Sequence, residues 1–339
     1  MKKNYLIAGT LGLVAAILYF ASMADYAFPG ESARLMVYWR GIDAPSVPLY
    51  PLMAVFATIL GAGNLIAPIC GAIAVAALFC LVSAFVRGRV RSEKALPNRE
   101  RLSNIAGVVA ALVFMMSPAV RSAATHLEPK MFDFAWALLA FALALPFLHG
   151  PKGLYWLFPP ALGAMVALGF CDSAIFVAFL PFYLALVVLT SIRCDKKPYL
   201  PLFMFVVVAL AAVPLALGFF GVDVSDALRR SADELRLYHL TPGWVFVAIF
   251  ATLPFVTALF SSDKAFSETP GIVQWIFHGA MTFVSILAIA TPLSPSALME
   301  PYGILPVATS AFAAAVAGYL VAYWWMMRRR IVGMVGGGV

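Results

Sequence analysis

Residues 65–86 read LIAPICGAIAVAALFCLVSAFV, and residues 87–101 continue as RGRVRSEKALPNRER. The first stretch is 22 residues without a charge, enough to cross the roughly 30 Å hydrocarbon core of a bilayer as a helix. The second stretch contains six Lys or Arg, as cytoplasmic loops of membrane proteins do. Together they predict a membrane-spanning helix that ends at a cytoplasmic face.

The composition extends this pattern to the whole chain of 339 residues. Hydrophobic residues make up 63% and charged residues 12%, and the mean hydropathy is +0.94. A soluble domain is about 45–50% apolar and about 25% charged. The composition therefore excludes a soluble enzyme, a disordered chain and a collagen-like fibre, and the long apolar runs disfavour a porin-like barrel.

The apolar runs predict an all-α membrane bundle of about ten spans. Lys2 and Lys3 precede the first run, which we interpret as an uncleaved helix rather than a signal peptide cut after Ala24. The run 49–60 is too short to span and predicts a helix at the membrane surface or packed into the protein. The predicted spans are residues 5–23, 65–86, 103–118, 131–149, 154–170, 174–192, 200–220, 242–261, 271–291 and 303–327.

The charges support this count of spans. If the spans alternate from an inner N-terminus, the inner segments carry 16 Lys or Arg and five acids, whereas the outer segments carry seven Lys or Arg and 11 acids. The excess of basic residues explains the net charge of +7 without a nucleic acid partner. It predicts a multi-pass protein of a bacterial-type inner membrane, with both termini cytoplasmic. The cysteines show no disulfide or CxxC pattern and are predicted to be small core residues: Cys70, Cys80, Cys171 and Cys194.

The polar chemistry is concentrated in three outer loops. The first, within residues 24–48, has Asp25, Glu31, Arg34, Arg40 and Asp43. The second has Arg121, His126, Glu128 and Lys130, with Asp133 at the start of the next span. The third has Asp223, Asp226, Arg229, Arg230, Asp233, Glu234 and Arg236.

Two functional interpretations of these loops compete with solvated polar surfaces. In the third loop, Ser225 is expected to cap an amphipathic helix, and Arg229 or Arg230 has the shape to bind a phosphate. In the first loop, a carboxylate such as Glu31 at the mouth of a bundle could act as a general base on an acceptor hydroxyl. By themselves, both patterns indicate only the polar face of a membrane protein.

A family resemblance makes the first loop more specific. Residues 28–32, FPGES, followed by residues 41–50, GIDAPSVPLY, resemble the first outer loop of the bacterial protein O-mannosyltransferase-like family. This family, domain of unknown function 2723, belongs to the GT-C glycosyltransferases, and its pattern is D-S-G-E, about a dozen residues, then H-P-P-G-x-P-L-Y. The segment 124–133 is similar to its A-x-x-x-E-x-Y segment, and the likeness covers about the first 190 residues.

The chain departs from that pattern at several positions. The family's Asp falls at Phe28, its Ser at Pro29 and its His at Asp43. The Gly30-Glu31 pair and residues 48–50 are intact. The departures leave Glu31 as the first-loop acid that is carried over directly.

The resemblance implies an inverting transfer of a mannose-like sugar at the outer face. The donor would be a polyprenyl-phosphate sugar and the acceptor a hydroxyl of a protein or glycan. Glu31 would be the general base, and Asp25 and Asp43 are further catalytic candidates. The donor phosphate would be bound by Arg34, Arg121, Arg229 and Arg230, and the acceptor would be oriented by His126, Glu128 and Lys130.

Several alternatives stay open beside this enzyme. One is a non-catalytic relative, a membrane scaffold or assembly protein with the GT-C fold; another, less favoured, is a lipid or polyisoprenoid transporter. Transporters usually place ionisable residues at mid-membrane, where this chain offers only His278, about a third of the way along its helix.

No cofactor is expected, since the lipid-linked sugar is the substrate, although a divalent metal stays open. Residues 331–339 form a Gly-rich tail after the membrane domain 1–330, or mark a truncation before the soluble part that family members often carry.

Overall fold

The structure is a computed structural model of the chain, which describes seven continuous segments and several short pieces. The segments are residues 2–23, 51–60, 63–89, 98–149, 155–219, 270–294 and 304–336. The short pieces are residues 223, 225, 228–229, 232–233, 235–236, 245–249, 252–253 and 257.

The regular structure of the described residues is helical. In addition to two 3-10 turns, at Gly63–Leu65 and Tyr155–Leu157, thirteen α-helices follow one another in these segments. They are α1 (Lys2–Ala21), α2 (Pro51–Leu60), α3 (Ile66–Arg89), α4 (Arg99–Met116), α5 (Pro118–Thr125), α6 (Lys130–Ala142), α7 (Leu145–His149), α8 (Phe158–Asp172), α9 (Ile175–Ala178), α10 (Leu180–Arg193), α11 (Tyr199–Phe219), α12 (Gly271–Leu293) and α13 (Leu305–Gly336).

The chain is an all-α, multi-pass membrane protein. Six helices among the described residues are long and apolar enough to cross a membrane, and a seventh crossing results if α4 and α5, which meet at a 65° bend, form one span. Pro118 lies in the first turn of α5 at this bend, where it has no N–H to continue the α4 hydrogen-bond ladder.

The predicted count of about ten spans is not confirmed. Residues 154–170 and 174–192 were predicted to span the membrane, but they form α8, α9 and α10, none longer than 15 residues. Residues 242–261 are described only in short pieces.

Helix α13 lies at the centre of the bundle. In the apolar stretch of each helix that is long enough to cross a membrane, 89% of α13 is buried inside the protein, whereas the share is 17% for α11 and 22% for α12. Close approach at the centre depends on small residues: a Cβ added at Gly318 of α13 would overlap the carbonyl oxygen of Ala106 in α4. Because lipid tails are as apolar as leucine, such close backbone packing is a main source of attraction between membrane helices.

One end of the bundle, here called the Arg87 end, collects basic helix termini. Asn4 of α1, Arg87 of α3 and Leu145 of α7 line one cavity there. Arg99, at the start of α4, donates from Nε to the carbonyl oxygen of Arg87 at 2.7 Å. Segments that alternation assigns to one face therefore do meet at one end.

The opposite end, here called the Asp172 end, carries the second loop. Tyr19, near the end of α1, donates its hydroxyl to the carbonyl oxygen of Met115 at 3.2 Å. Ser117, between α4 and α5, is hydrogen-bonded at 2.9 Å to Ser310 near the start of α13. The basic residues Arg87 and Arg99 therefore lie at one end of the bundle, and the second loop lies at the other.

Several local predictions are resolved by the fold. The short helix predicted at 49–60 is present as α2, and it packs into the protein through Met53, which is fully buried. The four cysteines are free and are buried or partly buried, as predicted. Helix α13 continues to Gly336, so residues 331–336 of the predicted tail are helical.

Trp324 and Trp325 are adjacent on α13 but have different surroundings. The indole of Trp325 is exposed, and the Arg328 guanidinium lies 4.0 Å from its centroid. Trp324 instead points into the bundle and donates from Nε1 to the hydroxyl of Ser285 at 3.0 Å. Adjacent residues on a helix point about 100° apart, so they do not share a face.

Candidate functional site

The second loop is a compact turn between α5 and α6. His126 follows α5 with an extended backbone, and its Nδ1 donates to the carbonyl oxygen of Ser122 at 2.7 Å. The backbone N–H of Glu128 donates to the carbonyl oxygen of His126 at 2.9 Å. These two bonds hold the loop in a defined shape.

Glu128 and Lys130 form an ion pair in this turn. Lys130 Nζ lies 2.7 Å from Glu128 Oε2, and the two side chains are 29% and 25% exposed, respectively. Glu128 lies two residues before α6, where a negative charge interacts favourably with the helix dipole. The half-buried pair therefore presents one anionic and one cationic group side by side at the Asp172 end.

Arg121 lies on α5, close to this turn. Its side chain is exposed, while its carbonyl oxygen accepts the hydroxyl of Thr125 at 2.7 Å. Because α5 bends away from α4, this guanidinium stands at the protein surface beside the second loop, where a phosphate could reach it.

The Asp172 end of the bundle contains two buried carboxylates, those of Asp133 and Asp172. Asp133 is in the first turn of α6 and is 3% exposed; Asp172 is the last residue of α8 and is 2% exposed. Buried carboxylates are costly unless they are hydrogen-bonded or paired. For Asp172 the partners are visible, and they belong to a distant part of the chain.

Asp172 caps the start of helix α2. Its Oδ1 accepts the backbone N–H of Leu52 at 3.0 Å, and its Oδ2 accepts that of Met53 at 3.1 Å. The first N–H groups of a helix have no partner within the helix, and a carboxylate satisfies them while also interacting with the dipole.

The sequence around Asp172 does not predict this capping role. One signal was present: Tyr50, directly before Pro51, is not a capping residue such as Ser, Thr, Asp or Asn. A short helix without a local cap needs another acceptor, but the sequence does not identify which one.

The two described flanks of the first loop lie at the Asp172 end. Helix α1 ends at Ala21, two residues after Tyr19, whose hydroxyl bonds Met115. Helix α2 begins at Pro51, beside Asp172. The chain therefore enters and leaves residues 24–50 at the end of the bundle that carries the second loop.

The predicted site residues of the first loop lie outside the described residues. These are Asp25, Glu31, Arg34 and Asp43, and Arg230 of the third loop is likewise outside them.

The third loop differs from its prediction in one detail. The expected capping residue was Ser225, but Ser225 is itself helical, and its N–H donates at 2.7 Å to the carboxylate of Asp223. Asp223 is thus the acceptor, because a cap binds an N–H two or three residues later. Arg229 is exposed, and Arg236 forms an exposed ion pair with Asp233 at 3.6 Å.

A second polar cluster lies inside the bundle, between α12 and α13. His278 is 6% exposed; its Nδ1 donates to the carbonyl oxygen of Gln274 at 2.7 Å, and its Nε2 is 3.2 Å from the fully buried hydroxyl of Tyr323. Since Nδ1 carries the proton, Nε2 accepts from Tyr323. His278 is recognisable in the sequence as an ionisable residue within an apolar run, but its pairing with Tyr323 is not.

Among the described residues, no group of three or more His, Cys, Asp and Glu side chains is arranged to hold a metal. No family model, curated protein or solved structure matches the chain.

Proposed function

We propose that the chain is a membrane glycosyltransferase of the GT-C kind, which moves a mannose-like sugar from a polyprenyl-phosphate donor to a hydroxyl of a protein or glycan. The observation that carries the proposal is the common location of the two loops. The first loop, which contains Glu31, is flanked by α1 and α2 at the Asp172 end, and the Glu128–Lys130 pair lies at the same end.

The chemistry needs one base and a set of cations. Glu31 removes the proton from the acceptor hydroxyl, whose oxygen forms a bond to the anomeric carbon while the bond from that carbon to the phosphate oxygen breaks. The leaving polyprenyl phosphate gains negative charge, which Arg34, Arg121, Arg229 and Arg230 are available to stabilise.

The second loop has an orienting role in this proposal. The carboxylate of Glu128 and Nε2 of His126 accept hydrogen bonds from the hydroxyls of the protein or glycan substrate, and the ammonium of Lys130 donates them. Asp172 has no part in orienting the acceptor, because its carboxylate caps α2. Asp25 and Asp43 are further acids of the first loop and remain additional candidates for catalysis.

The proposal also includes an orientation. The Arg87 end faces the cytoplasm of a bacterial-type inner membrane, because basic loops are retained on that side. The transfer then takes place at the outer face, and both termini are cytoplasmic.

The test is transfer by the purified full chain in nanodiscs, with radiolabelled polyprenyl-phosphate mannose. Release of polyprenyl phosphate is measured both with and without a Ser/Thr-rich peptide, because slow hydrolysis by water needs no acceptor. Glu31→Gln is compared with Glu100→Gln, which changes an exposed acid at the other end. We expect Glu31→Gln to lower the rate at least about a hundredfold and Glu100→Gln to have little effect.

Equal rates for Glu31→Gln and the unmodified chain would remove the role of Glu31. No release by the unmodified chain, with a donor that binds, would instead favour the non-catalytic scaffold.

A further inference from the structure

A cavity of about 50 Å³ opens at the Arg87 end of the bundle, far from the proposed transfer site. A single buried water needs roughly 10–15 Å³, so the space admits a larger group. The cavity is lined by Asn4, Tyr5, Cys80, Ser83, Ala84, Arg87 and Leu145.

Three of these side chains bring buried polar atoms without a hydrogen-bond partner. They are Nε and Nη2 of Arg87, Oγ of Ser83 and Oδ1 of Asn4. Ser83 is only 2% exposed. Buried polar groups are nearly always paired, and each one left unpaired costs free energy, so three such side chains around one cavity indicate a binding site for a polar ligand.

The unpaired atoms describe the chemistry of that ligand. Nε and Nη2 form one edge of the guanidinium, which binds two oxygens of one phosphate or carboxylate. Asn4 lies in the first turn of α1, whose free N–H groups and dipole also favour an anion. The amide oxygen of Asn4, however, needs a donor, so the ligand carries a hydroxyl beside its anionic group.

The walls of the cavity add an apolar requirement. Tyr5 is 56% exposed on the outside of α1, and Ala84 and Leu145 line the same cavity. A group bound at Arg87 can therefore extend along the apolar surface of α1 into the lipid.

We propose that this cavity binds the headgroup of an anionic, hydroxyl-bearing phospholipid from the leaflet at the Arg87 end. The phosphate lies on the Nε–Nη2 edge of Arg87, the headgroup hydroxyls donate to Asn4 and Ser83, and an acyl chain follows Tyr5. A free phosphate ester with neighbouring hydroxyls shares the polar chemistry but lacks the acyl chain.

The test uses the full chain, stripped of lipid in detergent and titrated with dioleoyl phosphatidylglycerol, dioleoyl phosphatidylcholine or glycerol 1-phosphate. Native mass spectrometry counts the bound molecules. The variants are Arg87→Gln and Asn4→Asp, and Arg101→Gln is the matched control, an exposed arginine on the helix that follows the same basic loop.

We expect phosphatidylglycerol to bind at least about tenfold more tightly than phosphatidylcholine and glycerol 1-phosphate. Arg87→Gln and Asn4→Asp each weaken its binding about tenfold, and Arg101→Gln changes it less than about twofold. Asn4→Asp supplies a carboxylate beside Arg87, so it raises the melting temperature of the lipid-free protein while weakening binding. A variant that lost binding only because it was less stable would have a lower melting temperature instead.

Equal binding of the two lipids, or unchanged phosphatidylglycerol binding by both variants, would overturn the proposal. Glycerol 1-phosphate binding as tightly as the lipid would overturn the lipid assignment, because the ligand would then be a soluble phosphate ester.

Discussion

The carboxylate of Asp172 accepts the backbone N–H of Met53 at 3.1 Å, although 119 residues separate them in the chain. Together with the bond to Leu52, this contact fixes the start of α2 to the end of α8. Helix α2 follows the first loop directly, so this contact also sets where that loop rejoins the bundle.

We therefore expect Asp172→Ala to destabilise the protein by about 2–3 kcal/mol, because two buried N–H groups lose their acceptor. Asp172→Asn keeps one acceptor oxygen, so its stability should lie between that of the unmodified chain and that of Asp172→Ala. Unfolding in mixed micelles measures the loss, with Asp233→Ala, at an exposed ion pair, as the control. The same loss for Asp172→Ala and Asp233→Ala would contradict the capping role.

The crossing of α4 and α13 predicts a steric effect at Gly318. A side chain there meets the Ala106 carbonyl oxygen and lies 2.9 Å from the Ala110 Cβ, so Gly318→Val should cost about 1–3 kcal/mol. Gly279→Val in α12 is the matched control, because nothing lies within 4 Å of a Cβ at that position. Thermal unfolding that ranks the two variants alike would argue against close packing at the centre.

The pairing of His278 with Tyr323 predicts a cost for losing one hydroxyl. Tyr323→Phe removes the donor to the buried Nε2, and we expect a loss of about 1–2 kcal/mol. Tyr199→Phe removes a hydroxyl from a residue that is 78% exposed, and it should leave the melting temperature unchanged. Should both variants melt at the same temperature, the hydrogen bond would contribute nothing to stability.

The Glu128–Lys130 pair should affect function more than stability. Both side chains are a quarter or more exposed, and such pairs typically contribute less than about 1 kcal/mol. Under the proposed function, Glu128→Gln misplaces the acceptor and lowers sugar transfer about tenfold to a hundredfold at nearly constant melting temperature. The rate of Asp233→Asn, measured in parallel, should match that of the unmodified chain.

The separation of loops between the two ends predicts opposite accessibility in cells. Under the proposed orientation, Lys130→Cys should react with a membrane-impermeant maleimide added outside intact cells, whereas Arg101→Cys should react only after the membrane is opened. The four native cysteines are buried or partly buried, and the unmodified chain measures their background. Labelling of Arg101→Cys instead of Lys130→Cys from outside would refute the orientation, and labelling of both from outside would contradict their location at opposite ends.

The parts of the fold that the sequence predicts are those set by local hydrophobicity. Residues 65–86 were expected to span the membrane, and α3, at Ile66–Arg89, covers all of them except Leu65. The short helix predicted at residues 49–60 is also found, as α2, because the length of an apolar run is a local property of the sequence. The predicted spans at 154–170 and 174–192 depend on more than local hydrophobicity, and there the helices are short.

The candidate site was predictable in its residue types but not in its contacts. The sequence places Glu128 and Lys130 two residues apart, and a turn brings them together at 2.7 Å. It offers no comparable signal for the contacts of Asp172 with Leu52 and Met53 or of His278 with Tyr323, because these partners lie on other helices. The unpaired atoms of Asn4, Ser83 and Arg87 likewise share a cavity only because α1, α3 and α7 meet at one end.

The sequence by itself determined that this protein lies in a membrane, since 63% hydrophobic residues cannot be covered in water, and it sorted the basic and acidic loops. Only the tertiary structure decided which polar groups meet. In a bilayer, apolar helix surfaces are equally well solvated by lipid or by other helices, so hydrophobicity does not select partners. Shape and hydrogen bonds do, as Gly318 against Ala106 and Asp172 against the start of α2 illustrate.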